Sequence, residues 1–206
     1  MREITAQERF WQGEFGDDYV DRNAGEKAVA CNLALFGRAL ARTTAITSVL
    51  EFGTNRGLNL QALRTLLPAA SLHGVELNAK ACALVRELGI AEIWEGSLFD
   101  YPVSRSFDLT FSKGVLIHLP PERLSAAYDQ LYRASGRYVL VAEYYNPTPV
   151  VVSYRGHEER LFKRDFAGEL LDRYADLHLL DYGFVYHRDP AFPADDLTWF
   201  LLEKRP

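Results

Sequence analysis

The 206-residue chain is predicted to be an α/β protein with a Rossmann-like doubly wound sheet, mostly parallel and ending in a C-terminal antiparallel hairpin. Short apolar runs that alternate with segments of helical periodicity predict the parallel sheet. A turn with Gly53 and Gly57 after the first run predicts a strand that leads directly into a helix. Two strand-like runs joined by a proline-bearing loop predict the closing hairpin.

The N-terminal part of the predicted single domain, residues 1–206, is a helical lid segment over residues 1–44. It begins with a polar and aromatic segment. A helix follows, because Val29, Leu33, Phe36 and Leu40 recur on one face.

The Rossmann-like core is expected over residues 45–206. Its parallel strands are short and apolar and are predicted near residues 46–52, 71–76, 91–96, 106–112 and 137–144. A helix near residues 166–174 separates them from the two strands of the hairpin, which are predicted near 177–186 and 197–203.

The composition argues against several classes of protein. The chain is 48% hydrophobic and 25% charged, which suits one globular domain with a large core. A net charge of −5 argues against a nucleic-acid-binding surface. The N-terminus lacks the apolar core of a signal peptide, and no apolar run nears the ~18 to 20 residues that span a bilayer. We therefore expect a cytoplasmic protein without a membrane partner. Cys31 and Cys82 are expected to be buried thiols.

The turn after the first strand is the strongest indication of a ligand site. Its spacing is Glu51-x-Gly53-x-x-x-Gly57, with Asn55 where a dinucleotide-binding pattern has its middle glycine. Glycines let the backbone approach a ligand, and the helix that follows offers free N–H groups. Glu51 would repel a pyrophosphate but attract a cationic amino-acid head such as that of S-adenosylmethionine. The pattern favours S-adenosylmethionine as the cofactor; an ordinary glycine turn is the alternative.

The next strands and the N-terminal segment supply further cofactor candidates. Glu76 lies about 20 residues after the glycines, where Rossmann-like sheets place a carboxylate on the ribose hydroxyls. Tyr19 and Arg22 would share a helix face and could meet the cofactor carboxylate, with aromatic packing and a surface arginine as the alternative. The predicted cofactor-binding residues are Tyr19, Arg22, Glu51, Gly53, Thr54, Asn55, Gly57, Glu76, Leu77, Ser97, Leu98, Lys113 and His118.

Residues 144–165 are predicted to be an acceptor loop beyond the carboxyl end of the fifth strand. Aromatic faces suit a sulfonium or a sugar ring, so a small-molecule acceptor is expected. Arginine can pair with a carboxylate or phosphate, which would suit an anionic acceptor. The predicted substrate-binding residues are Tyr144, Tyr145, Asn146, Tyr154, Arg155, Lys163 and Arg164. The alternatives are core packing of one tyrosine and a solvated charge run neutralised by Glu158, Glu159 and Asp165.

Four sequence blocks carry a resemblance to a known family: FWxGxFGxxYxxRN at residues 10–23, AEYYNP at 142–147, YRGH at 154–157 and LFKRD at 161–165. The whole plan resembles the class I S-adenosylmethionine-dependent methyltransferases. The four blocks resemble, more narrowly, the methylases associated with pseudaminic acid biosynthesis. The resemblance implies methyl transfer to a small molecule of nonulosonic-acid or related sugar chemistry.

The expected reaction is methyl transfer to a nitrogen or an oxygen of that small molecule. Two residues are candidates for the catalytic base: Glu143, which ends the fifth strand, and His157 in the acceptor loop, and His157 is favoured. His118 is the competing imidazole and is expected on the cofactor side. No spacing of acids or histidines supports a metal site, and Asp195 and Asp196 are expected to cap a strand or order a loop.

Two other functions stay open from the sequence. A nucleotide-sugar oxidoreductase that uses a nicotinamide is disfavoured by Glu51 and by the missing middle glycine. A non-catalytic binding protein that retains the fold is the second. The sequence leaves the oligomeric state open.

Overall fold

The structure is a computed structural model that describes residues 2–23 and 25–205, without the side chains of residues 158 and 159. Its strands are β1 (Ser48–Phe52), β2 (Ser71–Glu76), β3 (Glu92–Glu95), β4 (Phe107–Lys113), β5 (Ser135–Glu143), β6 (Val150–Tyr154), β7 (His157–Lys163), β8 (Leu177–Phe184) and β9 (Thr198–Lys204). Its α-helices are α1 (Ala6–Gln12), α2 (Glu14–Arg22), α3 (Glu26–Ala39), α4 (Leu58–Leu66), α5 (Ala79–Leu88), α6 (Leu124–Ala134) and α7 (Phe166–Arg173).

The main sheet confirms the predicted fold. Among the described residues it has seven strands in the order β3–β2–β1–β4–β5–β9–β8. Strands β1 to β5 pair in parallel, whereas β9 runs antiparallel between β5 and β8. The C-terminal hairpin therefore extends the sheet at one edge, as the sequence predicts.

The two faces of the sheet are both buried under helices. In β1, Val49 packs in one cluster with Leu35 and Phe36 of α3. Its neighbours Leu50 and Phe52 pack in the opposite cluster, on the side of α6 and α7. Burial on both faces explains why the parallel strands read as continuous apolar runs rather than as alternating patterns.

Helices α1 and α5 begin at residues whose side chains satisfy free N–H groups. Thr5 Oγ1 accepts from the Glu8 N–H (3.1 Å) and Glu8 Oε2 accepts from the Thr5 N–H (2.8 Å), which forms a capping box on α1. Asn78 Oδ1 accepts from the Ala81 N–H at 2.9 Å and caps α5. In the part of the chain that is described, no helix is both long and apolar enough to cross a membrane.

Residues 144–165, predicted to be a loop, contain the antiparallel pair β6–β7 in a separate small sheet. Arg155 and Gly156 form its two-residue turn, with φ angles of 51° and 84°. Positive φ at both central residues is typical of the tight hairpin turns that suit the twist of paired strands. The strands escape sequence analysis because β7 begins with four polar residues and shows no alternation of apolar and polar positions.

Candidate cofactor and acceptor site

A cavity of about 520 Å³ opens at the carboxyl ends of the parallel strands. Residues that follow four of these strands line it: Gly53 after β1, Leu77 after β2, Gly96 after β3 and Gly114 after β4. The strand order reverses between β1 and β4, and open α/β sheets bind ligands at such a reversal. The cavity therefore lies where this fold class places its ligand.

The N-terminal helix α1 covers one side of the cavity and is held there by Arg2. The Arg2 guanidinium donates to Asp100 from Nε (2.9 Å) and Nη2 (2.8 Å), and to Glu8 from Nη1 (2.8 Å). Glu8 itself lines the cavity. Burial would raise the pKa of Glu8, but hydrogen bonds, chiefly from Arg2, lower it to about 2. Glu8 is therefore ionised at neutral pH, and the ion pair attaches α1 to the end of β3.

Gly53 brings the backbone of the β1 turn to the cavity wall. Its φ angle is 78°, in the left-handed region. A Cβ at this position would lie 2.3 Å from Cγ2 of Val115, so a side chain cannot be accommodated without movement of the β4 turn. The Gly53 and Thr54 N–H groups both donate to the carbonyl of Val75, at 2.8 and 3.2 Å. The turn is thus fixed against β2 with Gly53, Thr54 and Asn55 on the cavity surface.

Glu51 lies beneath this turn and is fully buried. Its Oε1 accepts from Asn59 Nδ2 at 2.6 Å, while Glu51 Oε2 and Asn59 Oδ1 have no hydrogen-bond partner among the described residues. Burial raises the pKa of Glu51 to about 8, although the Asn59 bond and the Lys113 charge act in the opposite direction. Asn59 lines the cavity, so two unpartnered acceptor oxygens lie at or just behind its wall. This arrangement suits an ammonium group.

Glu76 ends β2 and organises the neighbouring backbone. Its Oε2 accepts from the Asn55 N–H at 2.6 Å, and its Oε1 accepts from the N–H groups of Leu77 and Asn78 at 2.8 Å each. Burial raises the pKa of Glu76, opposed by these backbone bonds. Because the carboxylate also lines the cavity, its remaining lone pairs can accept from a diol such as a ribose.

Three residues that follow β3 form the next part of the cavity wall. Ser97, Leu98 and Phe99 line the cavity, and Ser97 Oγ accepts from the Phe99 N–H at 3.3 Å. The guanidinium carbons of Arg2 and Arg123 lie 5.1 and 4.8 Å from the centre of the Phe99 ring. These contacts fix Phe99 as part of a flat, apolar wall that suits an aromatic base.

The turn after β4 is built around Glu143. The Glu143 carboxylate accepts from Ser112 Oγ (2.6 Å) and from the N–H groups of Val115 (3.2 Å), Leu116 (3.2 Å) and Ile117 (3.4 Å). Burial raises the pKa of Glu143 to about 6, opposed by these bonds. The carboxylate does not line the cavity, so its contacts shape the turn that carries Lys113, Gly114 and Val115 to the wall.

His118 presents an imidazole of fixed tautomer to the same cavity. Its Nδ1 lies 2.7 Å from the carbonyl oxygen of Arg160, which can only accept, so Nδ1 carries the proton and Nε2 the lone pair. The ring centre lies 4.7 Å from that of Trp11 and 4.9 Å from that of Tyr154. Burial lowers the pKa of His118 to about 4, so the ring is neutral at pH 7.

A family match accompanies this geometry. Residues 49–135, from β1 to the start of β5, match the family model described as a methyltransferase domain. Residues 49–135 therefore resemble a methyltransferase domain. A search of curated protein sequences gave no match.

Solved structures share the fold of this methyltransferase domain. Magnesium protoporphyrin IX methyltransferase from Synechocystis PCC 6803, solved with bound SAM, aligns with a TM-score of 0.70 at 12% identity and covers 100% of both chains. The 1,6-didemethyltoxoflavin-N1-methyltransferase of Burkholderia thailandensis, solved with S-adenosylhomocysteine, gives 0.71 at 15% identity, over 100% of this chain and 93% of its own. An amino pentose methyltransferase from Micromonospora echinaspora gives 0.64 at 11% identity, over 100% of both.

These identities are low, so the likeness to solved structures shows the class I methyltransferase fold. The family match over residues 49–135, the fold and the cavity together support a methyltransferase that depends on S-adenosylmethionine. The cavity wall carries an aromatic ring at Phe99 and a carboxylate at Glu76, with unpartnered oxygens of Asn59 and Glu51 at or behind it.

Most of the predicted cofactor residues lie together in the cavity wall, and three do not. Glu51 lies behind Asn59, and Gly57 begins α4 from a left-handed conformation away from the wall. Arg22 places its guanidinium carbon 5.6 Å from the centre of the Phe15 ring and does not line the cavity. The residues that do line it are Tyr19, Gly53, Thr54, Asn55, Glu76, Leu77, Ser97, Leu98, Lys113 and His118.

The predicted bases lie outside the cavity wall. Glu143 uses its carboxylate on the β4 turn, as described above. His157 is exposed at the start of β7, where its ring centre lies 5.0 Å from Phe10 and 5.5 Å from Phe15. The imidazole that the fold does bring to the cavity is His118. Sequence alone could not show that the hairpin turns His157 onto the N-terminal aromatic rings.

The predicted acceptor residues of the β6–β7 hairpin fall into two groups. Tyr154 contacts His118 and lies near the cavity, with its ring centre 6.2 Å from that of Phe15. The guanidinium carbon of Arg155 lies 5.8 Å from the Tyr154 ring, and Arg155 is exposed at the hairpin turn. Neither residue reaches the wall itself.

The remaining acceptor candidates flank the hairpin. Lys163 Nζ lies 5.1 Å from the centre of the Tyr144 ring. Arg164 is engaged in an ion pair, with its Nε 2.5 Å from Oε1 of Glu169. Tyr145 is exposed and Asn146 is partly buried, and the Tyr145 ring centre lies 5.9 Å from that of Phe200. Glu169 therefore neutralises Arg164. The side chains of residues 158 and 159, which the sequence offered as partners of these basic residues, lie outside the described part of the chain.

Several wall residues were not predicted. Lys27, Ala28, Cys31 and Asn32 of α3 line the cavity, and so does Asp195 in the loop between β8 and β9. Asn32, a buried amide on an otherwise apolar helix face, was a readable signal. Cys31, expected to be buried, is partly exposed at the wall, whereas Cys82 is buried as expected.

A metal site is not evident in the described residues, where no group of three or more histidine, cysteine or acidic side chains could hold an ion. The other histidines, His73, His178 and His187, lie away from the cavity wall.

Proposed function

We propose that this chain transfers the methyl group of S-adenosylmethionine to the nitrogen or oxygen of a small molecule related to sugars or nonulosonic acids. The observation that carries the proposal is one continuous cavity of about 520 Å³. One half holds groups suited to the cofactor, from Phe99 to Asn59. The other half includes Asp195 together with Tyr19 and His118, and we assign it to the acceptor, although the sequence predicted Tyr19 and His118 for the cofactor.

The cofactor supplies an electrophilic methyl group on a sulfonium. The protein's part is to hold and orient. Glu76 would accept from the ribose hydroxyls, Asn59 and Glu51 would accept from the ammonium, and the Gly53 turn allows close approach of the chain. In-line transfer depends mainly on position and on exclusion of water, and the helix α1 attached through Arg2 serves that exclusion.

A sugar-type acceptor is supported by the surroundings of the open half. The rings of Trp11, Tyr19 and Tyr154 around His118 offer aromatic faces for a sugar. Arg155 and Lys163 at the hairpin could meet a carboxylate or phosphate at the cavity mouth. The amino pentose methyltransferase that shares the fold acts on a sugar, which is compatible with this choice.

Within the open half, we place the proton acceptor at His118, since its Nε2 lone pair belongs to a ring on the wall. His157 and Glu143, the bases favoured from the sequence, stay predictions. His157 would need the hairpin to move away from Phe10 and Phe15, and Glu143 would need to give up four hydrogen bonds.

Calorimetric titration with S-adenosylmethionine and, separately, with NADH tests the cofactor. We expect binding of the first alone. Mass detection of a labelled methyl group on a panel of amino sugars, nucleotide-linked sugars and nonulosonic acids then tests the acceptor. Transfer only to unrelated amines would contradict the sugar assignment, and binding of NADH alone would contradict the reaction itself.

A further inference from the structure

Asp195 and its neighbour Asp196 have different surroundings in the structure, although the sequence predicts the same role for both. Asp196 orders the β8–β9 loop: its Oδ1 accepts from the His187 N–H at 2.9 Å, and its Oδ2 lies 2.8 Å from His187 Nδ1. Asp195 instead lines the cavity. No hydrogen bond or ion pair to its carboxylate is found within residues 2–23 and 25–205.

The loop is fixed on both sides of Asp195. The Ala194 N–H donates to the carbonyl of Tyr186 at 3.2 Å, and the Asp196 N–H donates to the carbonyl of Ala194 at 2.9 Å. Asp196 also has a φ of 54°, a left-handed conformation that is uncommon for a residue with a side chain. Asp195 is exposed, and these bonds hold the loop so that its carboxylate faces the cavity.

Asp195 interacts electrostatically with two phenol groups. Its charge contributes to raising the pKa of Tyr19 and of Tyr144, in both cases after burial, which is the main cause. Tyr154 interacts electrostatically with the same two tyrosines. A carboxylate among aromatic faces is the combination that binds an organic ammonium group.

Lys113 places an opposite charge in the same cavity. Burial lowers the pKa of Lys113, opposed by the charges of Glu51, Asp195 and Glu143. In the described part of the chain Lys113 and Asp195 attract one another without forming an ion pair, although both line the wall. Opposite charges that face a cavity without contact leave room for a ligand between them.

We propose that Asp195 binds an amino group of the acceptor, so that the acceptor of this methyltransferase is an amine and its nitrogen receives the methyl group. This inference rests on the proposed function and narrows it from nitrogen or oxygen to nitrogen. The adenosyl half of the cofactor is assigned to Glu76 and Phe99 and its ammonium to Asn59 and Glu51, which leaves Asp195 to the acceptor.

The reaction balances with groups that the site holds. The amine must lose one proton to expose its lone pair, and the lone pair of His118 Nε2 accepts that proton, so the Asp195 carboxylate stays ionised. The nitrogen lone pair forms the new N–C bond while the C–S bond breaks, and its electron pair stays on sulfur as a neutral thioether. The methylated ammonium that results is cationic again and remains paired with Asp195 until it leaves.

The test is a binding measurement that does not depend on turnover. Calorimetry in the presence of S-adenosylhomocysteine would compare matched pairs: 2-amino- and 4-amino-hexoses and nucleotide-linked amino sugars against the same sugars with hydroxyl groups. We expect the amines to bind at least tenfold more tightly than their hydroxyl partners. Asp195→Asn should remove this preference while Asp195→Glu keeps part of it.

Asp172→Asn, which removes an exposed carboxylate of α7, is the matched control and should bind the amines as the wild type does. Retention of the S-adenosylhomocysteine affinity by Asp195→Asn would show that the variant is folded. Equal binding of amines and hydroxyl analogues, no binding of any amine, or unchanged amine binding by Asp195→Asn would each overturn the inference. Failure of the wild type to bind S-adenosylhomocysteine would instead overturn the proposed function.

Discussion

The protonation of Glu51 links cofactor binding to pH. In the free protein the pKa of Glu51 is raised to about 8 by burial, so at pH 7 the carboxyl is mostly protonated. An ammonium group placed at Asn59 and Glu51 favours the ionised carboxylate. Binding of S-adenosylmethionine at neutral pH should therefore release a proton from Glu51.

The size of this proton release follows from the pKa of Glu51. With a pKa of about 8, ionisation at pH 7 costs about 1.4 kcal/mol, and about 0.9 proton should leave on binding. The affinity for S-adenosylmethionine should rise about ninefold between pH 6 and pH 7, a range in which an α-amino group stays mostly charged. A rise in pH has the opposite effect on the stability of the free protein. The folded protein holds the Glu51 proton more tightly than the unfolded chain does, so the unfolding free energy should fall as the pH rises towards 8.

Calorimetry in two buffers of different ionisation enthalpy at pH 7 counts the released protons. Glu51→Gln, which cannot ionise, should release none and should bind with little dependence on pH between 6 and 7. Glu122→Gln, which changes an exposed carboxylate, serves as the control and should behave as the wild type. Proton release by Glu51→Gln equal to that of the wild type, or none from either protein, would refute the assignment of Glu51 to the ammonium.

Three further predictions concern the walls of the cavity. Gly53→Val should abolish binding of S-adenosylmethionine in calorimetry, because a Cβ would lie 2.3 Å from Val115; unchanged affinity would contradict the role of the turn. Glu143→Ala should lower the unfolding free energy in urea by about 3 kcal/mol or more, because four donors of the β4 turn lose their buried acceptor; a loss below about 1 kcal/mol would place the carboxylate elsewhere. Arg2→Ala should speed release of S-adenosylmethionine severalfold in stopped-flow fluorescence, because α1 loses its attachment to Asp100, and an unchanged release rate would mean that α1 does not gate the cavity.

The main sheet was predictable because its strands are buried on both faces. Runs such as β1 and β4 read as continuous apolar stretches bounded by glycines, and that signal is local. The glycine turn could also be located from the sequence, since a left-handed Gly53 is a backbone requirement that glycine meets, and the structure places it at the cavity wall.

The small sheet and the acceptor half were not predictable, because they depend on contacts between distant segments. His157 and His118 are both histidines near prolines or glycines, and only the packing of the hairpin on Phe10 and Phe15 places one outside the cavity and the other at its wall. Asp195 and Asp196 are adjacent in sequence, yet the bonds of His187 to one leave the other facing the cavity.

Methyl transfer itself is the most direct test of the account. Purified protein would be mixed with methyl-labelled S-adenosylmethionine and the panel of amino sugars, nucleotide-linked sugars and nonulosonic acids, and the label followed by mass, with Gly53→Val as the inactive control. The account predicts label on an amino-bearing sugar with the wild type and none with the variant. Binding of no S-adenosylmethionine by the wild type, or equal transfer by both proteins, would contradict it.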